Sequence, residues 1–335
     1  MKEKVIIFGS TGTLGTYLID ELVARNKYEI VACGNRNLNA DFYAKRGIKC
    51  YSIDLSEMNS FQQLPMENVK AVVQLAGVMP SRMVGYKPEL YLKVNTIGSF
   101  NVLEYCRKIG CKKYIFTQSH SDVAGLWNTG KLIRHDASRM LNYTGDHAVY
   151  IISKNAAVDL SEHYFYDHGI SNVILRLPTI YSYRPISEMY VNGEKSVLAY
   201  RYLIEKAVKG ESLEIWGDPH VKKDIVYVKD FCQMVDKAIG SNKARGFYNV
   251  ATGIGTSLED QIMGISKVFS KEGNPSEVVY RRDKPSQISY LYDISNAEND
   301  MGYAPEYSYI EMLEDMKHEM NGDRFIHVDN QKVLY

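Results

Sequence analysis

Short apolar runs alternate with amphipathic segments through the first half of the chain. The runs are typical of strands buried on both faces of a parallel sheet, and they lie at residues 5–8, 29–33, 49–53, 70–75, 113–117 and 172–176. Between them apolar residues recur at helical spacing, first through Leu14, Leu18 and Leu22 and later across residues 99–108 and 150–167. Strands that alternate with helices predict an α/β fold with a doubly wound parallel sheet.

The pattern changes after residue 177. Tyrosine, proline and glycine become frequent, and helical periodicity then returns at residues 197–209, 230–239, 257–269 and 309–320. We therefore predict a first domain at residues 1–177 and a smaller, mixed α/β substrate lobe at residues 178–335. Residues 224–239 are expected to pack back against the first domain.

The composition is that of an ordinary globular protein. Lys and Arg (40) balance Asp and Glu (40), and 45% of the residues are hydrophobic. Zero net charge does not suggest a nucleic-acid partner, because proteins that bind nucleic acid usually carry a basic excess. The five cysteines form no C-x-x-C pair and the histidines show no H-E-x-x-H spacing, so we expect neither a disulfide framework nor a metal site.

The amino-terminal residues bear on where the protein works. Only four consecutive apolar residues precede Gly9, which is too short for the apolar segment of a signal peptide. No run approaches the ~18 uninterrupted apolar residues of a membrane-spanning helix. We therefore expect a cytoplasmic enzyme or binding protein with no membrane partner.

A glycine-rich turn follows the first predicted strand. Gly9, Gly12 and Gly15 have the spacing G-x-x-G-x-x-G between a strand and a helix. Glycine is needed where backbone approaches a pyrophosphate, and the helix then presents free N–H groups to the phosphates. The motif predicts a Rossmann dinucleotide-binding domain, with a purely structural turn as the alternative. The expected cofactor contacts are Gly9, Thr11, Gly12, Thr13, Leu14 and Gly15.

The ends of the next strands bear on which dinucleotide is bound. The second strand ends without the carboxylate that holds the ribose hydroxyls of NAD, whereas Arg36 would pair with the 2′-phosphate of NADP. We therefore predict NADP, with NAD as the alternative. Asp54 would accept a hydrogen bond from the adenine, unless it only caps the following helix. The cofactor contacts expected at these strand ends are Asn35, Arg36, Asp54, Leu55, Leu75, Ala76 and Gly77.

Tyr150 and Lys154 form a candidate acid–base pair. Residues four apart share one face of a helix, and an ammonium near a phenol, together with a nicotinamide cation, favours the phenolate and so lowers the pKa of the phenol. The same spacing recurs twice in the second half of the chain. Only Tyr150 and Lys154 lie among the alternating strands and helices, so position selects this pair. A surface tyrosine–lysine pair is the alternative.

A strand rich in hydroxyl groups precedes this pair. The apolar run at residues 113–117 continues into Ser119 and Ser121, and its carboxyl end should reach the cofactor. Ser119 is expected to hydrogen-bond a substrate oxygen beside Tyr150. Ser121 or Thr117 would replace it if the register differs by one insertion.

These motifs resemble those of the extended short-chain dehydrogenase/reductases, in the NAD-dependent epimerase/dehydratase family. The similarity covers almost the whole chain, from the glycine motif through residues 75–77, 94–98, 116–125, 172–181, 216–218, 224–228 and 248–250. It implies that Tyr150 is the acid–base residue, that Lys154 holds the nicotinamide ribose, and that Ser119 completes a catalytic triad. It also implies cofactor contacts for Asn95 and Pro178.

The resemblance also suggests a substrate, because many relatives act on nucleotide-diphosphate sugars. Lys223 and Arg282 match positions of diphosphate-binding arginines, although a lysine cannot form the two-pronged contact of an arginine. Thr179 stands where relatives often have asparagine. The predicted substrate contacts are Ser119, Ser121, Thr179, Lys223 and Arg282. The chain lacks the Thr-Asp-Glu sequence of 4,6-dehydratases, so a dehydratase is the less favoured activity.

We therefore predict an NAD(P)-dependent epimerase or reductase that transfers a hydride at a carbinol or keto carbon of a nucleotide-linked sugar, with Tyr150 as the acid–base residue. The alternatives are a reductase of a non-nucleotide carbonyl compound and a non-catalytic NADP-sensing protein. The resemblance further implies a homodimer through the helices at residues 99–108 and 150–167.

Overall fold

The computed structural model of this protein describes residues 2–35 and 39–327. The strands in these residues are β1 (Lys4–Phe8), β2 (Glu29–Gly34), β3 (Lys49–Ser52), β4 (Val69–Gln74), β5 (Lys113–Ser119), β6 (Leu132–Ile133), β7 (Ser171–Leu177), β8 (Ile180–Tyr181), β9 (Glu188–Val191), β10 (Glu194–Val197), β11 (Leu213–Trp216), β12 (Lys222–Asp224), β13 (Val226–Tyr227), β14 (Gly246–Asn249), β15 (Gly255–Ser257), β16 (Val278–Arg281) and β17 (Leu291–Tyr292).

Helices connect most of these strands. They are α1 (Thr13–Arg25), α2 (Ala40–Lys45), α3 (Pro88–Leu90), α4 (Gly98–Lys108), α5 (His147–His168), α6 (Ala199–Lys209), α7 (Val228–Gly240), α8 (Leu258–Phe269), α9 (Ser295–Met301) and α10 (Tyr309–Glu319). Turns of 3₁₀ helix lie at Met58–Gln63, Pro80–Arg82 and His120–Leu126, and a π-helical segment at Tyr91–Ile97 leads into α4. Within the described ranges, no helix has the length and apolar character needed to cross a membrane.

A seven-stranded parallel sheet forms the centre of the molecule. Its strand order is β14-β7-β5-β4-β1-β2-β3, and every neighbouring pair is parallel. The direction of winding reverses between β1 and β4, which places a crevice at the carboxyl ends of these strands, where ligands bind in such sheets. The predicted doubly wound α/β fold is therefore confirmed.

The two faces of the sheet are covered by different helices. Successive side chains of a strand point to opposite faces, so Val5 and Ile7 of β1 join the apolar layer of α1 and α7. Ile6 and Phe8 join the layer of α4 and α5 instead. All four are at most 1% exposed, which explains why β1 has an uninterrupted apolar run rather than an alternating pattern.

The second half of the chain returns to this sheet. Helix α7 packs against α1, where the Arg25 guanidinium lies 2.9 Å from an Asp236 carboxylate oxygen. Strand β14 then adds to the edge of the sheet with Phe247 opposite Ile174 of β7. Residues 228–249 thus complete a layer and an edge that the first half leaves open. The division of the chain at residue 177 stays a prediction.

The rest of the second half contains short strand pairs and the helices α6, α8 and α10. The pairs are the antiparallel hairpin β9–β10, β11 with β16, β12 with β15, and β13 with β8. Strand β17 pairs with β6, which places Leu291 opposite Leu132. This pairing ties the second half to the loop that follows β5, at the carboxyl edge of the central sheet.

Candidate active site

The glycine turn between β1 and α1 is shaped by close backbone contacts. Gly9 has a φ of +94°, and a Cβ atom there would lie 2.7 Å from the Ala76 amide nitrogen at the end of β4. A Cβ at Gly15 would collide with the Gly9 carbonyl oxygen, because α1 passes directly over the turn. Gly12 precedes the first helical residue and supplies no side-chain cap to α1. The turn therefore leaves a cradle of bare backbone at the carboxyl edge of the sheet.

The residues predicted to contact the adenosine half of a cofactor lie next to this turn. Asn35 is exposed directly after β2, and Arg36 lies outside the described residues. One carboxylate oxygen of Asp54 accepts hydrogen bonds from the Ser56 amide at 2.9 Å and the Ser56 hydroxyl at 2.7 Å, so Asp54 stabilises its own turn. Leu55 is buried, and its carbonyl accepts a hydrogen bond from Asn101 of α4.

Asn95 holds the segment that follows β4 in place. Its amide oxygen accepts a hydrogen bond from the Val78 amide at 2.8 Å, and its amide nitrogen donates to the Val78 carbonyl and to the Ser153 hydroxyl of α5. A Cβ atom at Gly77 would lie 3.0 Å from the Asn95 amide oxygen and 3.9 Å from the Lys154 ammonium. Asn95 therefore joins the residues predicted to face the cofactor to the helix that carries the acid–base pair.

Tyr150, Lys154 and Ser119 converge as the sequence predicts. Tyr150 and Lys154 lie one turn apart on α5, and Ser119 ends β5 beside them. Ser119 hydrogen-bonds Tyr150 and thereby opposes the rise in pKa that burial causes in this phenol. The Lys154 ammonium lies 3.9 Å from the centre of the Phe116 ring and has no hydrogen-bond partner among the described residues. A buried ammonium without a partner is costly unless a ligand supplies one.

Burial controls the ionisation of this pair. It raises the pKa of Tyr150 to about 12 and lowers the pKa of Lys154 to about 7, since both charged forms lose water. Desolvation by itself favours a neutral phenol and a neutral amine. The expectation that Lys154 and a bound nicotinamide cation together lower the pKa of Tyr150 stays a prediction.

Of the predicted substrate contacts, Arg282 makes no described contact with the others. Ser119 donates a hydrogen bond to Ser121 at 3.3 Å. Lys223 lies opposite Tyr290 in a bridge between strands, and the Thr179 hydroxyl opposes the rise in pKa that burial causes in the Tyr290 phenol. Burial lowers the pKa of Lys223, and the Lys223 ammonium has no hydrogen bond or ion pair with any residue of the described ranges. Pro178 is buried beside Thr179, whereas Arg282 is exposed one residue beyond β16 and makes no described contact with this group.

A cavity of about 330 Å³ lies near the acid–base pair. Its walls include Tyr91, Asp146 and Gly193, which come from the π-helical segment, the loop before α5 and the β9–β10 hairpin. The Tyr91 ring packs 5.8 Å from the Tyr150 ring. The hairpin is held over this region by a hydrogen bond from the Asn192 amide to Asp146.

A comparison with models of protein families identifies the family of this chain. The model of the NAD dependent epimerase/dehydratase family matches residues 5–251. The chain belongs to this family. It is therefore an enzyme of the extended short-chain dehydrogenase/reductase type, and the alternative of a non-catalytic sensor is set aside.

Members of the epimerase/dehydratase family resemble this chain over nearly its whole length. A putative UDP-glucose 4-epimerase of Methanocaldococcus jannaschii is 25% identical over 319 residues, which is 95% of this chain and 97% of the relative. UDP-glucuronic acid decarboxylase 3 of Arabidopsis thaliana is 26% identical, with 96% and 91% covered. The crystal structure of a Thermotoga maritima UDP-glucose 4-epimerase with UDP-glucose has a TM-score of 0.75 at 21% identity, covering 95% of this chain and 100% of that one.

A solved family member with a bound cofactor shares the fold. The Thermus thermophilus UDP-glucose 4-epimerase, in complex with NAD, has a TM-score of 0.73 at 21% identity, covering 95% of this chain and 99% of that chain. The residues of the present protein fit such a dinucleotide. The glycine turn forms a backbone cradle that side chains would fill, and the unpartnered Lys154 ammonium lies beyond Gly77 at the same edge.

Sequence reasoning missed a buried polar network in this epimerase/dehydratase family member. The Arg176 guanidinium of β7 donates to the Asp122 carboxylate, with its Nε 3.0 Å from Oδ1, and to the Asn249 amide oxygen at 3.0 Å. Asp122 and Arg176 are at most 1% exposed. Asn249 also donates to the Ile133 and Asp293 carbonyls, so the network joins the central sheet to β6 and β17. In the sequence, Asp122 directly follows the serine-rich end of the predicted strand, and this position is the signal that could have indicated the buried network.

The depressed pKa of Lys154 predicts a pH-dependent stability effect. An unfolded lysine binds a proton below pH ~10.5, whereas the folded Lys154 binds it only below about pH 7, so this residue destabilises the fold most at or below pH 7. Lys154→Met should therefore raise the free energy of unfolding of the nucleotide-stripped protein, and by more at pH 7 than at pH 10. Urea unfolding at both pH values measures the difference. An equal effect at both pH values would contradict the assignment.

Proposed function

We propose that this protein interconverts epimers of a nucleotide-diphosphate sugar by removing and returning a hydride at one carbinol carbon. The convergence of Tyr150, Lys154 and Ser119 beside a cradle of bare glycine backbone carries this proposal. The names of the relatives support the substrate class, because UDP-glucose 4-epimerases and UDP-glucuronic acid decarboxylases match over most of their length.

Each residue of the site has a role in this proposal. A bound nicotinamide dinucleotide supplies the hydride acceptor and donor. The glycine turn would hold its phosphates, and Lys154 would hold its nicotinamide ribose. The Tyr150 phenolate, which the positive charge of a bound nicotinamide would favour, takes the proton of the substrate hydroxyl when the hydride leaves and gives it back when the hydride returns. Ser119 donates a hydrogen bond at the same oxygen and keeps the substrate beside Tyr150.

The choice between NAD and NADP depends on the end of β2. We propose NAD as the working cofactor, since NAD is present in two solved relatives that share the fold. The preference of Arg36 for NADP stays a prediction. Mass spectrometry of the nucleotide released from the native protein decides between them: NADP would overturn this part of the proposal.

A direct assay tests the function. Purified enzyme with NAD is incubated with UDP-glucose, and the products are analysed by proton NMR, which resolves the anomeric signals of epimeric hexoses. We expect a second UDP-hexose to accumulate without net formation of reduced cofactor. If UDP-, GDP-, CDP- and dTDP-hexoses all stay unchanged and none binds, the nucleotide-sugar proposal is wrong. Turnover of a free carbonyl compound would then favour the reductase alternative.

Lys223 is predicted to contact the diphosphate of the substrate. Lys223→Met should raise KM for the nucleotide sugar by about ten- to hundredfold, the value of one charge-assisted hydrogen bond, and should change kcat little. Lys223→Arg should keep KM low, since the charge stays and a second donor is added. Steady-state kinetics of both variants provide the measurement.

Lys222 provides the matched control for Lys223. It is the preceding residue of β12, its side chain points to the other face of the strand, and it is exposed. Lys222→Met should therefore leave KM unchanged. Equal effects of the two substitutions would show that only the general positive charge of this strand matters, and would contradict a specific diphosphate contact.

The assembly and the location of the protein also stay predictions. Phe100 of α4 and Ile152 of α5 are exposed apolar side chains on the helices through which we predict a homodimer. Sedimentation equilibrium of the purified protein tests this, and a monomer at micromolar concentration would contradict it. A cytoplasmic location is a separate prediction.

A further inference from the structure

His120 lies directly after Ser119 and has no role in the mechanism above. Its ring packs against aromatic side chains from both halves of the chain, with centroid distances of 4.6 Å to Trp127 and 5.0 Å to Tyr290. Its Nδ1 atom lies 2.8 Å from the Tyr292 hydroxyl oxygen. Hydrogen bonds between Asn128 and Ser289 hold the same two segments together. The imidazole is therefore fixed in place, one residue from the Ser119 hydroxyl that hydrogen-bonds Tyr150.

The contact with Tyr292 determines which ring nitrogen carries the proton. Tyr292 is 1% exposed, and burial raises the pKa of its phenol, so the hydroxyl keeps its hydrogen. That hydrogen needs an acceptor, because a buried donor without one costs free energy. Trp127, the other polar side chain beside this hydroxyl, offers only an N–H donor. The Tyr292 hydroxyl therefore donates to Nδ1 of His120, and the imidazole proton resides on Nε2.

The surroundings keep this imidazole uncharged. Burial and, after it, the electrostatic effects of Lys223 on β12, Arg176 on β7 and His147 on α5 lower the pKa of His120 to about 3. The carboxylate nearest in sequence, Asp122, is paired with Arg176, and the other titratable neighbours, Tyr290 and Tyr292, stay neutral. His120 is thus a neutral donor throughout the physiological pH range.

The remaining nitrogen of His120 is free to meet a ligand. Nε2 has no hydrogen-bond partner within the described part of the chain, and the side chain is partly rather than fully buried. His120 directly follows Ser119 in the chain and lies close enough to Lys223 for that residue to lower its pKa, and both neighbours are predicted substrate contacts. A neutral imidazole in such a place donates a hydrogen bond to an oxygen without protonating it.

We propose that His120 is an additional substrate-contacting residue, whose Nε2–H donates a hydrogen bond to an oxygen of the sugar beside the one handled by Tyr150 and Ser119. This inference rests on the proposed function, because it needs a nucleotide-linked sugar at the Tyr150 end of the cleft. Lys223 would hold the diphosphate on one side of His120, and Tyr150 would act on the reacting carbon on the other side. His120 thereby helps to determine which sugar is accepted.

Substitutions of His120 test its contact with the sugar separately from binding of the nucleotide. His120→Phe removes the donor and should lower kcat/KM for UDP-glucose by about 10²-fold, as the loss of one positioned donor does, while the affinity for UDP alone stays unchanged. His120→Gln retains an N–H donor and should recover part of the loss. His318→Phe, the same change at an exposed histidine of α10, should have no effect. Unchanged kcat/KM in His120→Phe would overturn the proposal.

Nitrogen-15 NMR of the wild-type holoenzyme provides a second readout that does not depend on folding of a variant. The His120 signals should show the neutral Nε2–H tautomer from pH 5 to pH 8, and Nε2 should shift with UDP-glucose but not with UDP. An Nδ1–H tautomer, a charged ring at pH 7, or equal shifts with both ligands would overturn the proposal. If the wild type neither binds nor converts any nucleotide sugar, the proposed function fails first, and the substrate contact of His120 fails with it.

Discussion

Tyr150→Phe is expected to lower kcat for the proposed epimerisation by about 10²–10⁴-fold, the range that a positioned acid–base group contributes. In the proposed mechanism the Tyr150 oxygen exchanges a proton with the substrate hydroxyl, and the hydrogen bond from Ser119 opposes the rise in pKa that burial causes in this phenol. Removing a single oxygen leaves the ring contact with Tyr91 in place. Steady-state kinetics with UDP-glucose measure the effect, and the binding of substrate and cofactor should persist.

A second tyrosine offers a matched control for this substitution. Tyr202 also has a lysine four residues later, Lys206, with the ammonium 5.8 Å from its ring, but Tyr202 is exposed on α6. Tyr202→Phe should leave kcat and KM unchanged. If Tyr150→Phe keeps wild-type kcat, or if both variants lose activity equally, Tyr150 is not the acid–base residue.

The second large effect concerns stability. Asp122→Ala should lower the free energy of unfolding by about 3–5 kcal/mol, because it leaves a buried charge without its partner. Arg176, at 1% exposure, would keep its guanidinium inside the protein with only the Asn249 amide and backbone carbonyls as acceptors. Urea unfolding followed by circular dichroism measures the change in stability.

Two comparisons test whether the unpaired charge causes this loss. The double variant Asp122→Leu/Arg176→Met removes both charges and should be more stable than Asp122→Ala, since no buried ion remains. Asp136→Ala breaks the exposed pair of Arg134 and Asp136 and should change stability little, because water replaces the partner. A double variant as unstable as Asp122→Ala would show that packing, rather than charge, accounts for the loss.

The first half of the fold is predictable from the sequence for physical reasons. Strands buried on both faces are mostly apolar, so β1 and β4 are visible as runs ended by Gly9 and by the small residues after Gln74. The glycine motif is equally visible, because only glycine tolerates the backbone contact that Gly9 makes with Ala76. The apolar run at residues 113–117 is two residues shorter than β5, because the strand ends with the polar residues Gln118, which is 1% exposed, and Ser119.

The candidate site is less predictable because its properties depend on contacts between distant segments. The tautomer of His120 depends on Tyr292, which lies 172 residues away along the chain. The pKa of Tyr150 depends on how far the folded chain excludes water, whereas the spacing to Lys154 shows only that an ammonium is near. The edge strand β14 has only four residues, and its pairing with β7 leaves no local pattern in the sequence.

Strand β14 also has a consequence for synthesis on the ribosome. The emerging chain cannot close the edge at β7 until residues 246–249 have left the exit tunnel, about 70 residues after β7 itself is made. During that interval a row of unpaired amides and carbonyls is available to any other extended polypeptide. Chaperone capture of the nascent protein should therefore be concentrated between these two points of translation.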